Sequence, residues 1–410
     1  MKTEAMHTWC RCFAALLLGG CTVFRLAAAA PEQPPPAFPH IPPEYLREAD
    51  NTPDFWVSTV DGVAKFLGES VHRGTVEVIG TSAGGRPIRA VFYGRARVGK
   101  GTTTFSGASG AHSMRAYYGP DFEKKVYLAM ASIHGGELEG IVGLVNLVSV
   151  LETGKDLRGR PWPGIVAAAG RIDRLIVIPI VNVDGRARVP VRMEAFCGTD
   201  HRADDYLNTG AWSDGKMIGW PECKAFIPLD FSSTQFPGGY PNDNGVNIQH
   251  DDFFGPRQPE TQALLDVAAR ERPDLILNLH TGVWYEDYFP LVHRPAMEAA
   301  LAPAFDGLFR AMHTAMANAG MQSTGDPAVE ADLARAPADA YNINTALNYH
   351  CGALAVVVEV PSHQHSARNR QGAAVQHSAD RLLDEELVIE EEAMKYLADS
   401  GGRARWAGGK

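Results

Sequence analysis

The stretch Val126-Tyr127-Leu128-Ala129-Met130-Ala131-Ser132-Ile133-His134-Gly135-Gly136-Glu137 decides how the rest of this chain is read. Its apolar run, Val126–Ile133, has the character of a buried strand and stops at a histidine, two glycines and a glutamate. Three further runs repeat the pattern. Leu175–Val181 ends at Asn182-Val183-Asp184-Gly185, Leu275–Leu279 at His280-Thr281-Gly282, and Ala353–Val358 at Glu359. In a parallel α/β sheet the carboxyl ends of the strands share one rim, where ligands bind. Residues far apart in sequence are therefore expected to meet in one cleft, and their types point to a metal-dependent hydrolase.

Between and around these runs the periodicity predicts helices over Leu138–Leu151, Pro259–Arg270, Ala299–Ala317 and Arg381–Leu397. The second opens on a proline, a residue suited to the first helical turn. Val76–Ile79 and Pro87–Tyr93 read as two strands joined by the turn-rich Gly80–Arg86. Strands alternating with helices predict an α/β fold with a mixed, largely parallel central sheet flanked by helices. Residues 190–244 are irregular and rich in Gly, Pro, Trp and Asp, with Gly238-Gly239-Tyr240-Pro241 breaking any regular element.

The organisation expected along the chain is a leader over 1–30, a Pro-rich linker over 31–44, a catalytic domain over 45–398 and a flexible tail over 399–410. Lys2 and Arg11 precede the apolar Phe13–Phe24, and Ala28-Ala29-Ala30 offers small residues for cleavage, the pattern of an export signal. That stretch is too short for an ordinary membrane-spanning helix. Leu18-Gly19-Gly20-Cys21 also resembles a bacterial lipobox, so lipidation at Cys21 stands beside cleavage near Ala30 as the fate of the leader. Export to the periplasm, secretion or lipid anchoring is the expected location. Of six cysteines, Cys197 and Cys223 flank one insertion and could pair in an oxidising compartment, whereas Cys351 reads as a buried thiol. A net charge of −10 argues against nucleic acid as a partner, because a phosphate backbone demands a basic surface.

His134 and Glu137 alone are weak evidence for a metal, since a glutamate in a first helical turn is favourable without one. Their setting strengthens the case: the glycines between them let the backbone turn sharply at a strand end. His280 closes a buried run, and Thr281-Gly282 is expected to break the strand there and leave the imidazole at the rim. His134, Glu137 and His280 then form the His₂Glu set of a catalytic zinc, three protein ligands with one position open. Glu359, inside a β-branched run, is a costly carboxylate unless it has a partner or a task. The task that fits is a general base for water activated by the single zinc ion.

The ordered set resembles the zinc carboxypeptidases, the carboxypeptidase A-like family. Those enzymes carry HxxE, an Asn-Pro-Asp-Gly strand end, Gly-Val-Asp-x-Asn-Arg-Asn, a lone His and a late Glu. The matching segments here are His134–Glu137, Asn182–Gly185, Gly245-Val246-Asn247-Ile248-Gln249-His250-Asp251, His280 and Glu359. The hairpin Gly80–Ile88 and the segment Pro259–Leu264 extend the resemblance over roughly residues 50–395. It implies a peptide substrate, one zinc on His134, Glu137 and His280, and Glu359 as catalytic glutamate. It also implies substrate contacts at Asn247, Gln249 and His250, an arginine on the scissile carbonyl, and a tyrosine closing over the substrate. Arg188 or Arg192 is the candidate arginine; Tyr341 is the candidate tyrosine, with Tyr349 as the alternative.

The departures bear on substrate. The family's Asn-Arg pair grips a terminal carboxylate, and Gln249-His250 stands in its place. Arginine forks onto a carboxylate with a fixed charge, whereas histidine carries charge only part of the time near neutral pH. Asn247 replaces an aspartate that supports a zinc-binding histidine, so it accepts a hydrogen bond without adding negative charge. A zinc amidase or deacylase acting on substrates that lack a free carboxyl terminus is the alternative reading. A binding protein without catalysis is the weaker one, since binding alone does not require Glu359.

Overall fold

The computed structural model describes residues 52–191, 206–224, 228–283, 291–321, 341–363, 366–368 and 374–406. All belong to one compact unit, Ala37–Lys410. The proposed leader, the proline-rich linker, Arg192 and Cys197 lie outside the described residues.

Seven strands form the main sheet: β1 (Thr75–Thr81), β2 (Pro87–Gly94), β3 (Val126–Ala131), β4 (Arg174–Ile178), β5 (Leu275–Val283), β6 (Leu291–His293) and β7 (Leu354–Pro361). Their spatial order is β1-β2-β4-β3-β5-β7-β6. The four inner strands β4, β3, β5 and β7 run parallel, while β1, β2 and β6 are antiparallel to their neighbours. These parallel strands are the four apolar runs of the sequence, now side by side. Every residue of β3 is buried, as a strand covered on both faces requires.

The helices labelled here are α1 (Val60–Ser70), α2 (Glu139–Thr153), α3 (Val183–Arg188), α4 (Pro259–Glu271), α5 (Ala302–Asn318), α6 (Ile343–Cys351) and α7 (Ala379–Ser400). One group packs through α7, which touches α2, α5 and β7; in a second, α6 contacts α4 and β7, and α4 contacts β1. Helix α2 has almost no polar face: its residues from Glu139 to Leu151 are all buried. Burying a leucine, isoleucine or valine there contributes about 1.5–3 kcal/mol each, so α2 is a fixed element against which the loop His134–Leu138 is set.

The expected mixed, largely parallel sheet is the one observed. Three local expectations differ. Strand β5 does not end at His280; it continues to Val283 with an irregular register between Thr281 and Val283. Likewise β7 runs through Glu359 to Pro361: β6 pairs with it from Val357 to Glu359, and β5 continues the ladder with Thr281 opposite Val360 and Val283 opposite Pro361. The tail is not wholly free. Arg403 is buried, its backbone N–H donates to Asp274 Oδ1 at 2.8 Å and its guanidinium pairs with Glu298, which docks the short helix Arg403–Trp406. Cys351 is the expected buried thiol, pushed up to about 12 by burial. Cys223 is buried too, and the pairing expected for it falls on Cys197, outside the described residues.

Candidate metal centre

The register of the parallel strands builds the site. Ala131 of β3 pairs with Leu279 of β5, so the loop that leaves β3 carries His134 to the rim beside His280, with ring centroids 4.9 Å apart. His280 in turn pairs with Glu359 of β7. Residues directly opposed in neighbouring strands share a sheet face, which sets Glu359 beside His280 on that face.

His134, Glu137 and His280 converge. Their ligand atoms all lie within 4.8 Å of one another, and they form the one such group of buried metal-ligating side chains among the described residues. Glu137 stands between the two imidazoles: His134 Nδ1 is 2.7 Å from Oε1 and His280 Nδ1 is 3.0 Å from Oε2. The donor set, two imidazole nitrogens and one carboxylate within 4.8 Å of one another, is of a kind that holds a divalent metal ion. Burial alone would raise the Glu137 carboxyl; the fields and hydrogen bonds of His134 and His280 outweigh it and hold the group well below the usual carboxylate range. The groups therefore fit a divalent cation on both charge and geometry.

Supporting contacts hold each ligand. Asn247 Oδ1 lies 3.2 Å from His134 Nε2, and it also accepts the Gln249 backbone N–H at 3.0 Å. This hydrogen bond leaves Nδ1 of His134 turned toward Glu137. Tyr240 stacks flat on His134, with ring centroids 3.6 Å apart and 5° between planes. The Thr281 N–H donates to Glu137 Oε2 at 3.2 Å, and Asn208 Nδ2 approaches Oε1 at 3.4 Å. Gly135 makes the loop possible: a Cβ there would stand 2.1 Å from the backbone of Gly185 and Arg186.

Asn182 and Asp184 serve the scaffold. Asn182 caps α3 by accepting from Gly185 N at 2.8 Å, and its amide donates to the carbonyls of Ile133, Gly239 and Tyr240. Asp184 receives Ser82 Oγ at 2.6 Å, Gly84 N at 2.7 Å and Arg86 Nη1 at 2.7 Å. The turn after β1 is thereby tied to the rim of the metal site, which explains why both segments carry recognisable motifs.

Glu359 lies between two histidines. His280 is its neighbour on β5, and His293 of β6 brings Nε2 to 3.5 Å from Glu359 Oε1. Burial pushes the Glu359 carboxyl up, but the contact with His293 and the field of His280 pull harder and leave it below its ordinary value. The group is thus ionised at neutral pH, as a proton acceptor must be.

The other expected site residues scatter. Gln249 is buried in an amide network, accepting from Asn278 Nδ2 at 3.2 Å and reaching Asn344 Oδ1 at 3.5 Å. His250 is half-buried; burial, Lys224 and His134 push its imidazole down to about 4, so it is neutral at pH 7. Arg188 gives its guanidinium to the loop beyond β4, to the carbonyls of Gly238 at 2.5 Å and Pro241 at 2.6 Å, and stacks on Phe231. It holds the segment that carries Tyr240 and is not directed at the triad. Tyr341 is 42% exposed and packs its ring against Phe253 and Phe254. Tyr349 is exposed as well. His363 bonds to Glu139, with Nδ1 at 2.6 Å from Oε1, and joins no second metal group among the described residues.

Sequence reasoning missed His293, Tyr240 and Asn208. Tyr240 was visible only as part of a breaker tract, and the three-residue strand Leu291–His293 is too short to announce itself.

No profile of a known protein family matches the chain, and no curated protein matches it. Solved structures do. A candidate carboxypeptidase from Burkholderia mallei aligns over 82% of this chain and 67% of its own, with 15% identity and a TM-score of 0.51. A metallo-carboxypeptidase from Burkholderia cenocepacia aligns over 82% of this chain and 68% of its own, with 16% identity and a TM-score of 0.49. At such identities the likeness speaks for the fold. This chain has a carboxypeptidase-like fold, with His134, Glu137 and His280 grouped so that they could hold a metal ion on the rim of its parallel strands.

Proposed function

We propose that this protein is an exported zinc-dependent hydrolase of carboxypeptidase type that cleaves a peptide or related amide bond. The convergence of His134 Nδ1 and His280 Nδ1 on the two oxygens of Glu137, with Glu359 paired to His280 in the sheet, carries the proposal. Zinc, when bound, acidifies a coordinated water and polarises a carbonyl. Glu359, ionised beside His280 and His293, takes the proton of the attacking water and later delivers it to the leaving amine. Asn247 and Tyr240 fix the ring of His134, and Arg188 holds the loop on which Tyr240 stands. Export rests on the leader over residues 1–30; the mass of the mature amino terminus distinguishes cleavage near Ala30 from lipidation at Cys21, and an intact amino terminus in cells defeats both.

Replacing Glu359 with Gln tests the chemistry. Turnover should fall by about 10²-fold or more, the scale of a lost general base, while zinc stays bound. Full turnover by this variant removes Glu359 from the mechanism.

A second reading concerns the substrate's terminus. His250 stands where a fixed cation is expected to grip a free carboxylate, and its burial keeps the ring neutral. That favours substrates with an amidated, acylated or otherwise blocked carboxyl end. Hydrolysis of one peptide with a free and with an amidated terminus separates the readings. A strong preference for the free acid defeats the second; equal or better cleavage of the amide supports it.

A further inference from the structure

We propose that His293, on the edge strand β6, is a positioning residue that fixes the carboxylate of Glu359 for catalysis. This rests on the reading of Glu359 as the general base. The sheet register supplies the geometry. Leu291 pairs with Glu359 and His293 with Val357 in the antiparallel β6–β7 ladder. Residues 357 and 359 point to the same side of β7, and opposed residues share a face, so His293 and Glu359 lie on one face. On the opposite flank, β5 brings His280 beside Glu359 on that face.

The two carboxylate oxygens meet different neighbours. Oε1 faces His293 Nε2 at 3.5 Å. Oε2 lies over Gly282, where a Cβ would stand only 2.8 Å away. Glu359 thus has room on the β5 side and a polar partner on the β6 side. A glutamate has three rotatable side-chain bonds, and ordering a long polar side chain costs conformational entropy. An imidazole at ion-pair distance offsets part of that cost and selects the rotamer. Glu359 is about a quarter exposed and His293 nearly half exposed, at 25% and 46% of their side chains. The pair is therefore at the open edge of the sheet, where the carboxylate would otherwise swing toward water.

The experiment compares His293→Ala and His293→Gln in the full chain, alone and combined with Glu359→Gln. The substrate is the peptide that the wild type turns over fastest. The alanine variant should lose about 10- to 10²-fold in kcat, the cost of misplacing a reacting group by roughly 1 Å, with KM and zinc content unchanged. The glutamine variant, which restores an N–H donor, should recover most of the loss. In the Glu359→Gln background His293→Ala should cost nothing further, because coupled residues fail to add. A readout independent of turnover uses the metal-free protein: Glu359→Gln should shift the ring resonances of His293 and leave those of His313 unmoved. The inference is overturned if kcat stays within twofold of wild type in His293→Ala, if the loss is equal in both backgrounds, or if the His293 resonances do not respond. Should Glu359→Gln itself retain full turnover, the reading of the base fails instead, and the resonance shift still reports whether the pair exists.

Discussion

Substituting Gly282 with alanine perturbs the proposed base without touching a proposed metal ligand. Among the described residues, a methyl group built at Gly282 meets atoms of Glu359 alone, Oε2 at 2.8 Å and the carboxyl carbon at 3.9 Å. A methyl carbon settles roughly 3.5 Å from its neighbours, so the oxygen must retreat by about 0.7 Å. The neighbour that has to move is the far end of a flexible side chain, and Gly282 lies in a strand that alanine also accepts. Stability should therefore change by less than about 1 kcal/mol. The functional cost is larger, because displacing a catalytic group by roughly 1 Å costs about 10²-fold; a loss of about 10- to 10²-fold in kcat is expected. The assay is steady-state hydrolysis of the best peptide found for the wild type, run beside a thermal melt and zinc analysis. A variant with wild-type kcat, or one that loses zinc or fold along with activity, refutes this placement of Glu359.

Two further outcomes follow from other parts of the structure. Asn247→Ala removes the oxygen that orients His134 and should weaken zinc binding by about 10- to 10²-fold, measured by competition with a chelator; unchanged affinity would mean that Tyr240 and Glu137 suffice to set the ring. Glu390 of α7 is fully buried with its Oε2 2.7 Å from Tyr127 Oη, and burial raises its carboxyl to about 8 against the opposing pull of that hydroxyl. A raised acid favours the protonated fold, so its stability contribution is complete below about pH 4.5 and falls by roughly 1.4 kcal/mol per pH unit until about pH 8. Glu390→Gln should flatten this decline in denaturation midpoints between about pH 5 and 9, and an unaltered slope would contradict the buried acid.

The strands and the centre were readable because both are local patterns in register. A buried parallel strand is a short apolar run, and each of the four runs carries its polar residue at the carboxyl end, so His134, Glu137, His280 and Glu359 could be named before their positions were known. What surrounds them depends on tertiary pairing. His293 reaches Glu359 only because β6 adds antiparallel to β7, and nothing in Leu291-Val292-His293 marks that choice. The basic run Arg186-Ala187-Arg188 likewise offered no hint that Arg188 would be consumed by carbonyls some fifty residues later, at Gly238 and Pro241. The tail reads as flexible in the sequence, yet the buried carboxylate of Asp274 needs donors, and the backbone N–H of Arg403 is one of them.

Two imidazoles and a carboxylate stand where they can hold one divalent ion. Crystals of the zinc-loaded protein, measured at the zinc absorption edge, test it most directly. The expected result is one strong anomalous peak at about 2.0–2.2 Å from His134 Nδ1, His280 Nδ1 and a Glu137 oxygen, with the Glu359 carboxylate facing the open side. A peak elsewhere, or folded protein that takes up no zinc at this site, would contradict it.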